Sequence, residues 1–225
     1  MKTKNSILYS FRRWPYAIRA RLALSYLDFN FEHREVHLKN RPEELYNISP
    51  KGTVPVLYLD SNTIINESLE IMLWVNKNLD KINLLHINSD KQLILINEND
   101  INFKYWLDRY KYFERFPENT KDYYFKKAAF FLTKIEKLLK YNTYIINDKI
   151  QLIDLAIIPF IRQFANVDFD LFKSKFYNIT NWYIKIIDSD RFKNIMNKYE
   201  FWSNNDQPLI INLYQKNYEY KNNKK

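Results

Sequence analysis

Residues 8–22 of this 225-residue chain read Leu8-Tyr9-Ser10-Phe11-Arg12-Arg13-Trp14-Pro15-Tyr16-Ala17-Ile18-Arg19-Ala20-Arg21-Leu22. A short apolar run leads into a polar loop, and Pro15 then opens a segment in which apolar side chains recur at helical spacing. This stretch therefore predicts a β-strand, a loop and an amphipathic α-helix in direct succession. Trp14 stands immediately before the proline, at the predicted N-terminus of the helix.

The start of a helix is a favoured position for a reactive cysteine. The partial positive charge of the helix macrodipole stabilises a thiolate there. This chain has Trp14 at that position and contains no cysteine. We therefore expect the loop to keep its ligand-binding chemistry, whereas chemistry through a thiol of this chain is excluded.

Strand and helix patterns continue to alternate through the first 80 residues. The predicted strands are 6–10, 31–38, 54–59 and 63–65, and the predicted helices are 15–27, a short one that begins at 42, and 67–78. The resulting order is strand, helix, strand, helix, strand, strand, helix, or βαβαββα. This order predicts a mixed α/β domain over residues 1–80.

The pattern changes after residue 80. Residues 81–90 are polar and irregular, and we interpret them as a linker. From residue 91 on we find only helical periodicity, with predicted helices at 91–113, 119–141, 152–164, 174–188 and 191–198. Residues 199–225 are interpreted as a capping segment with a frayed, lysine-rich end. The sequence thus predicts an α+β protein whose second domain, 91–225, is an all-α helical bundle.

Composition excludes several classes of function. A single glycine, Gly52, is too few for a glycine-rich phosphate loop, and three histidines without cysteine give no metal-binding pattern. No apolar run is long enough to span a membrane, no secretory signal is evident, and the lack of disulfides fits a cytoplasmic location. The net charge of +9 is spread over the second half of the chain and its tail, without a nucleic-acid-binding motif, so nucleic acid is not an expected partner.

Three segments of the first domain predict a site for a peptide-like ligand. A cis bond at Val54-Pro55 would expose the backbone N–H and C=O of Val54 as a strand edge, with which an extended peptide can pair. Glu67 and Ser68 begin the next helix, where free N–H groups suit a carboxylate and Glu67 suits an ammonium group. Lys39, after the second strand, offers a cation for a second carboxylate. Each feature alone has an ordinary structural explanation. Because all three occur in this order within one predicted domain, they together favour a binding site for such a ligand.

With these features the chain resembles the glutathione transferases, and within them the omega-like and related bacterial branch. The resemblance runs to about residue 202 and is carried by residues 9–24, 38–43 and 154–165 together with the segments above. It implies a thioredoxin-like first domain and a helical second domain. It also implies glutathione as a cosubstrate, no metal, a small hydrophobic electrophile as the second substrate, and a homodimer.

The resemblance implies contacts along the whole length of glutathione. Its glycyl carboxylate meets Lys39, and its cysteinyl backbone pairs with Thr53 and Val54 beside a structural cis-proline, Pro55. Its γ-glutamyl end lies at Glu67–Ser68. Its sulfur lies near Trp14, at the start of the first helix.

Trp14 departs from the branch that the loop resembles, in which a cysteine at this position forms a mixed disulfide with glutathione. The indole N–H donates one hydrogen bond but does not replace a thiol. Other classes in the family use a Tyr or Ser hydroxyl, and Tyr9 and Ser10 are the candidates for that role here. Because strand residues alternate between faces, at most one of the two points into the site. The catalytic residue is therefore unknown.

A second departure lies at the start of predicted helix 152–164. In the family this helix begins with a Ser or Thr capping box paired to the acid at Asp154, and here the cap residue is Gln151. Gln is a poor N-cap, at a cost of about 1 kcal/mol relative to Ser. We expect the fold to tolerate this loss.

Two functions follow from the resemblance. The first is an enzyme that conjugates glutathione to small electrophiles, with the thiolate of glutathione rather than a protein thiol as the nucleophile. The alternative is a non-catalytic relative that keeps the fold as a binding or regulatory module, for instance in transcription or stress. The first is favoured by the intact residues Lys39, Val54, Glu67 and Ser68. The second is favoured by Trp14 and by the positive charge. The aromatic residues of predicted helix 91–113 either line an acceptor pocket or, as is usual at helical spacing, belong to the core.

Overall fold

The computed structural model of the chain describes residues 6–59, 63–79 and 83–214. The chain divides into two compact units. The first combines Met1–Ile82 with Ser189–Lys225, and the second is Asn83–Asp188. The described part of the first unit holds a β-sheet with helices, and that of the second holds helices without a strand.

The sheet of the first unit has five strands in the order β4-β3-β1-β2-β5. They are β1 (Ile7–Ser10), β2 (Asn30–Glu35), β3 (Val56–Tyr58), β4 (Ile64–Ile65) and β5 (Ile210–Asn212). β1 and β2 run parallel, and every other neighbouring pair is antiparallel. The parallel pair at the centre follows from the predicted strand–helix–strand order, because parallel strands need a crossover connection.

The helices occur in both units. They are α1 (Pro15–Leu24), α2 (Glu43–Ile48), α3 (Ser68–Lys77), α4 (Ser89–Glu98), α5 (Lys104–Lys111), α6 (Lys121–Leu139), α7 (Leu152–Ala165), α8 (Phe169–Lys175), α9 (Tyr177–Ile187) and α10 (Asp190–Ile195). A π-helical turn at Asn99–Phe103 joins α4 to α5, so these two helices together form the predicted helix 91–113. In the first unit, α1 packs against α3 and α10.

The first helix begins where the sequence predicts. Pro15 is its first residue, and the extended backbone of Trp14 (φ −79°, ψ 126°) serves as the N-cap. Proline suits this position because its fixed φ is helical and its missing N–H has no intrahelical partner to lose. The helix ends at Leu24, three residues before the predicted end, where the hydroxyl of Ser25 donates to the carbonyl of Leu22 at 2.6 Å.

Strand β5 is the main difference from the predicted architecture. Residues 199–225 are predicted as the cap of an all-helical domain, 91–225, but Ile210–Asn212 forms a strand that pairs with β2, with Ile211 opposite Phe31. The side chain of Ile211 is buried. This pairing covers an edge of β2 that would otherwise present unpaired backbone groups. The segment after α9 therefore belongs structurally to the sheet unit.

Helix α7 is almost entirely buried within the second unit. Its N-terminus is capped by Asp154, whose carboxylate accepts from the N–H of Gln151 at 2.8 Å. The side chain of Gln151 lies against Gln92, whose Nε2 donates to Oε1 at 3.4 Å, and Gln92 in turn accepts from the N–H of Ile153 at 3.1 Å. Gln92 thus satisfies one of the helix N–H groups that a Ser or Thr cap would serve.

The carboxyl group of Asp154 is fully buried in this unit. Besides Gln151, it accepts from the N–H of Ile145 at 3.1 Å and from the indole Nε1 of Trp182 at 2.8 Å. Burial raises the pKa of Asp154 to about 6, although the hydrogen bonds oppose the rise. Burial destabilises the charged carboxylate more than these hydrogen bonds stabilise it.

The predicted helix 174–188 corresponds to α9, and the helix before it, α8, is not among the predicted helices. α8 ends at Lys175 and α9 begins at Tyr177, with the extended backbone of Phe176 between them (φ −133°, ψ 77°). Asp168 caps α8 and accepts from the N–H of Leu171 at 2.9 Å. An acidic N-cap is a strong helix start signal.

Two kinds of feature are missing from the described ranges of the chain. None of the helices there has the length and apolar character that crossing a bilayer requires. No three His, Asp or Glu side chains there are grouped so that they could ligate a metal ion.

Candidate functional site

The sheet of the first unit brings four loops to one edge. β1 and β2 are parallel, with Ser10 opposite Glu35, so both strands end at this edge. β3 is antiparallel to β1, with Tyr9 opposite Val56, so it begins there, and β4 in turn ends there. The loops are residues 11–14, 36–42, 53–55 and 66–67. All residues predicted to bind the ligand therefore lie on or next to loops at one edge of the sheet.

Val54 presents its backbone at this edge. The Val54–Pro55 peptide bond is cis. The side chain of Val54 is buried and packs in a cluster with Tyr9 and Val56, while Thr53 beside it is exposed. In the part of the chain that the structure describes, neither the N–H nor the C=O of Val54 has a hydrogen-bond partner. Both groups are available to an extended peptide.

The turn that leads into this segment requires Gly52. Its φ of +60° lies in the left-handed region, which glycine enters without cost. A Cβ at this position would also overlap the ring of Tyr46. The N–H of Gly52 donates to the carbonyl of Ser49 at 2.8 Å and closes the turn. The single glycine of the sequence therefore fixes the path of the chain into Thr53.

Helix α3 begins at the same edge. Glu67 is its N-cap, and its exposed carboxylate accepts from Nζ of Lys51 at 3.2 Å. Ser68 is the first helical residue and is only 3% exposed, and its Oγ accepts from Nε of Arg19 at 2.9 Å. Within the described chain, the N–H groups of residues 68–70 have no acceptor, as expected for a first helical turn. An acid, a hydroxyl and free N–H groups therefore meet at one helix start.

Trp14 lies at the start of α1 with its side chain 41% exposed. Its N–H donates to the carbonyl of Phe11 at 3.2 Å, and its side chain makes no capping hydrogen bond. The indole is thus a surface group at the positive end of the helix.

Two buried charged residues hold the loop that precedes Trp14. Glu35 accepts from the N–H of Arg12 at 2.6 Å. Arg21 is 1% exposed and donates from Nη2 to the carbonyl of Arg12 at 2.7 Å and from Nε to the carbonyl of Ile195 at 3.0 Å. Burial lowers the pKa of Arg21 to about 10. Because both groups are tied to backbone atoms, they fix the conformation of the loop.

Lys39 is exposed in the turn after β2, where the N–H of Asn40 donates to the carbonyl of His37 at 3.0 Å. Over the residues that the structure describes, no hydrogen bond or ion pair joins Lys39 to another predicted ligand-binding residue. The sheet topology alone brings it to the same edge as Val54.

Tyr9 and Ser10 are both completely buried. The hydroxyl of Tyr9 accepts from Nη1 of Arg34 at 2.6 Å, and burial raises its pKa even though Arg34 opposes the rise. The hydroxyl of Ser10 accepts from the guanidinium of Arg21. Neither hydroxyl is exposed to a ligand at the edge of the sheet.

Lys51 and Arg19 are the two residues at this site that the sequence reasoning missed. Lys51 is an exposed lysine in the turn before Thr53, and no local pattern in the sequence indicates that Glu67 is its partner. The sequence could have predicted a partner for Arg19, because this residue interrupts the apolar run Ala17 to Leu24 of a largely buried helix. A charged residue within such a run is seldom buried without a partner.

The aromatic residues of α5 have different environments. Tyr110 is 2% exposed and its ring packs on Phe164, with the centroids 4.9 Å apart, so it belongs to the core. Trp106 lines a cavity of about 430 Å³ within the helical unit, together with Phe103 and Phe130. The core interpretation is thus confirmed for Tyr110, and an acceptor pocket beside Trp106 stays a prediction.

Two family models match this chain. The model of the glutathione S-transferase N-terminal domain matches residues 8–81, and that of the C-terminal domain matches residues 99–190. Human glutathione S-transferase omega-2 is 39% identical over 62 residues, which are 28% of this chain and 26% of the human protein. This match therefore spans about a quarter of the relative's length.

Solved structures share the fold over most of the chain. Ure2p in complex with S-hexylglutathione aligns with a TM-score of 0.74 at 16% identity and covers 87% of this chain and 99% of its own. A glutathione transferase family member from Pseudomonas fluorescens with two glutathione molecules bound aligns with a TM-score of 0.73 at 15% identity. The alignment covers 85% of this chain and 92% of that protein. The predicted fold class, a thioredoxin-like domain followed by a helical one, is confirmed. The chain belongs to the glutathione S-transferase family.

Proposed function

We propose that this chain binds glutathione at the sheet edge and conjugates it to small hydrophobic electrophiles. The observation that carries the proposal is the backbone of Val54, whose N–H and C=O are unpaired in the described chain beside the start of α3. A pair of free groups on one residue accepts an extended peptide through two hydrogen bonds. The match of both family models supports glutathione as that peptide.

The proposed pose places the cysteinyl residue of glutathione against Val54. The cysteinyl N–H donates to the carbonyl of Val54, and the N–H of Val54 donates to the cysteinyl carbonyl. Thr53 lies next to this contact, and the glycyl carboxylate extends toward Lys39. Each backbone hydrogen bond contributes about 1 kcal/mol net, so this contact fixes orientation more than it supplies affinity.

The γ-glutamyl end of the ligand is placed at the start of α3. Its ammonium group pairs with Glu67, and its carboxylate accepts from the hydroxyl of Ser68 and the free N–H groups of the first helical turn. Charge-assisted hydrogen bonds of this kind are about twice as strong as neutral ones. The free amino-acid group of the γ-glutamyl residue therefore provides most of the affinity.

The thiol of glutathione is placed toward the start of α1. The positive end of the helix dipole favours the thiolate, and the indole N–H of Trp14 can donate to it. The thiolate sulfur then forms a bond to the electrophilic carbon, which releases its leaving group with the bonding electrons. No side-chain hydroxyl is assigned a part in this step, because Tyr9 and Ser10 are completely buried and cannot reach the thiol.

The alternative function is a non-catalytic binding or regulatory protein that keeps the fold, such as a scaffold associated with transcription or stress. Trp14 supports it, because a bulky indole stands where the related branch has its thiol. Glutathione binding and turnover together separate the two functions, because a scaffold does not need a site for an amino-acid head group.

We further propose that the chain belongs near the omega-like branch, forms a homodimer and is cytoplasmic. The 62-residue match to human omega-2 supports the branch. Light scattering on the purified protein tests the dimer, and the location requires fractionation of the source cells.

Two measurements in sequence test the proposed function. Calorimetric titration with glutathione is expected to show binding at one site per chain. A conjugation assay with a chloronitrobenzene then separates an enzyme, which gives a rate above that of glutathione alone, from the non-catalytic alternative. Absence of binding at millimolar glutathione would contradict the proposed function and favour the non-catalytic scaffold.

A further inference from the structure

Arg19 lies beneath the proposed γ-glutamyl site. It is in the second turn of α1, 2% exposed, with its guanidinium over the ring of Tyr16 at 4.9 Å. Its Nε donates to Oγ of Ser68 at 2.9 Å, across the contact between α1 and α3. A buried cation is retained at a considerable desolvation cost, so the groups that it contacts need an explanation.

The direction of this hydrogen bond determines what Ser68 can do. A guanidinium group only donates, so the hydroxyl oxygen of Ser68 must accept. The hydroxyl proton is then left for another acceptor, and the described residues provide none. Ser68 therefore offers one O–H donor that the protein itself does not use.

The surroundings of this proton favour an anion. The unpaired N–H groups of residues 68–70 lie on the same helix start, where the dipole of α3 is positive. The charge of Arg19 adds to this field and polarises the O–H of Ser68, because a hydroxyl that accepts from a cation becomes a stronger donor. This site therefore favours a carboxylate group of a ligand, which would accept from the helix start and from the unused proton of Ser68 beside the buried cation.

We propose that Arg19 is a positioning residue that acts through Ser68 to bind the α-carboxylate of the γ-glutamyl group. This inference rests on the proposed function, since the ligand is glutathione. Arg19 itself does not touch the ligand. It orients the hydroxyl of Ser68 and strengthens it as a donor, and it thereby makes the site selective for ligands with a free α-carboxylate at that end.

The test pairs a protein variant with a ligand variant. Glutathione is compared with γ-aminobutyryl-cysteinyl-glycine, which lacks the α-carboxylate and keeps the ammonium group. For Arg19→Gln we expect about a tenfold loss of affinity for glutathione, the size typical of one charge-assisted hydrogen bond, and an unchanged affinity for the analogue. Arg191→Gln is the matched control, because Arg191 is a partly buried arginine of the same unit that contacts Ser25 and Tyr26 instead. It is expected to change neither affinity.

Circular dichroism shows whether Arg19→Gln folds. If it does not fold, Ser68→Ala serves as the variant that tests the inference. It should cause the same loss for glutathione alone, and the double variant should lose no more than Ser68→Ala, because Arg19 acts through the hydroxyl. Equal losses for both ligands, or none, would overturn the inference while the wild type still binds glutathione. A wild-type protein that does not bind glutathione would overturn the proposed function and this inference with it.

Discussion

The Nζ atom of Lys51 lies 3.2 Å from Oε1 of Glu67 and forms an exposed ion pair with it. The carboxylate that we assign to the ammonium group of the ligand is therefore already neutralised by a cation of the same chain. A ligand that uses Glu67 must displace Lys51 or share the carboxylate with it. The two cations compete for one acid.

Lys51→Gln is expected to tighten glutathione binding by about threefold, because an exposed ion pair contributes up to about 1 kcal/mol and this competition is removed. Lys77→Gln is the control, since it removes the same charge at the far end of α3. Titration calorimetry at fixed ionic strength measures both. If Lys51→Gln weakens binding instead, Lys51 contacts an anionic group of the ligand and does not compete with it.

Glu67→Gln is expected to weaken glutathione binding by about tenfold, because the ammonium group of the ligand loses its charged acceptor. The free energy of unfolding should change by less than about 0.5 kcal/mol, since the side chain is exposed. Glu70→Gln, in the same helical turn, removes an equal charge and should leave the affinity near that of the wild type. Equal effects of the two substitutions would show that only the local charge matters and would withdraw the assignment of Glu67.

Trp14→Cys is expected to produce a thiol with a pKa below about 7.5, because the residue caps α1 at its positive end. The pH dependence of alkylation by iodoacetamide measures this pKa. Ile210→Cys provides an exposed reference thiol, 59% against 41%, on strand β5, away from a helix start. Two superimposable alkylation profiles would mean that the helix end does not stabilise a thiolate.

Asp154 predicts a pH dependence of stability. Its folded pKa of about 6 lies above its usual value of 3.8, so the folded chain holds an extra proton between these limits. The contribution of Asp154 to the free energy of unfolding is therefore most favourable below pH 4, and it falls as the pH rises through 6. The unfolding free energy of the wild type minus that of Asp154→Asn should decrease over this range in urea titrations. A difference that increases with pH would show that the carboxylate is stabilised in its charged form.

Local patterns predicted most of the sheet unit and the positions of its site residues. Pro15 and the acidic start of α3 mark element boundaries through their own backbone preferences, and the βαβαββα order then sets which strand ends share an edge. The predicted binding residues come from their chemistry and from the family resemblance, and that order places them at one edge. The fold class could therefore be read from the chain before any tertiary contact was known.

Features that depend on distant residues were missed. β5 forms because Ile211 pairs with Phe31, far away in the sequence, and its apolar run of three to five residues fits a loop equally well. The hydroxyl of Ser10 accepts from Arg21, and that of Ser68 accepts from Arg19. Whether a side chain can bind a ligand depends on such partners. The periodicity of the sequence does not predict them, because they are distant along the chain.

A crystal of this protein soaked with glutathione gives the most direct measurement of the proposed site. We predict a single molecule whose cysteinyl N–H and C=O lie within hydrogen-bonding distance of the carbonyl and N–H of Val54. Its γ-glutamyl ammonium and carboxylate should reach Glu67 and Ser68. Density for the tripeptide elsewhere, or an indole ring of Trp14 lying across Val54 in its place, would contradict the account.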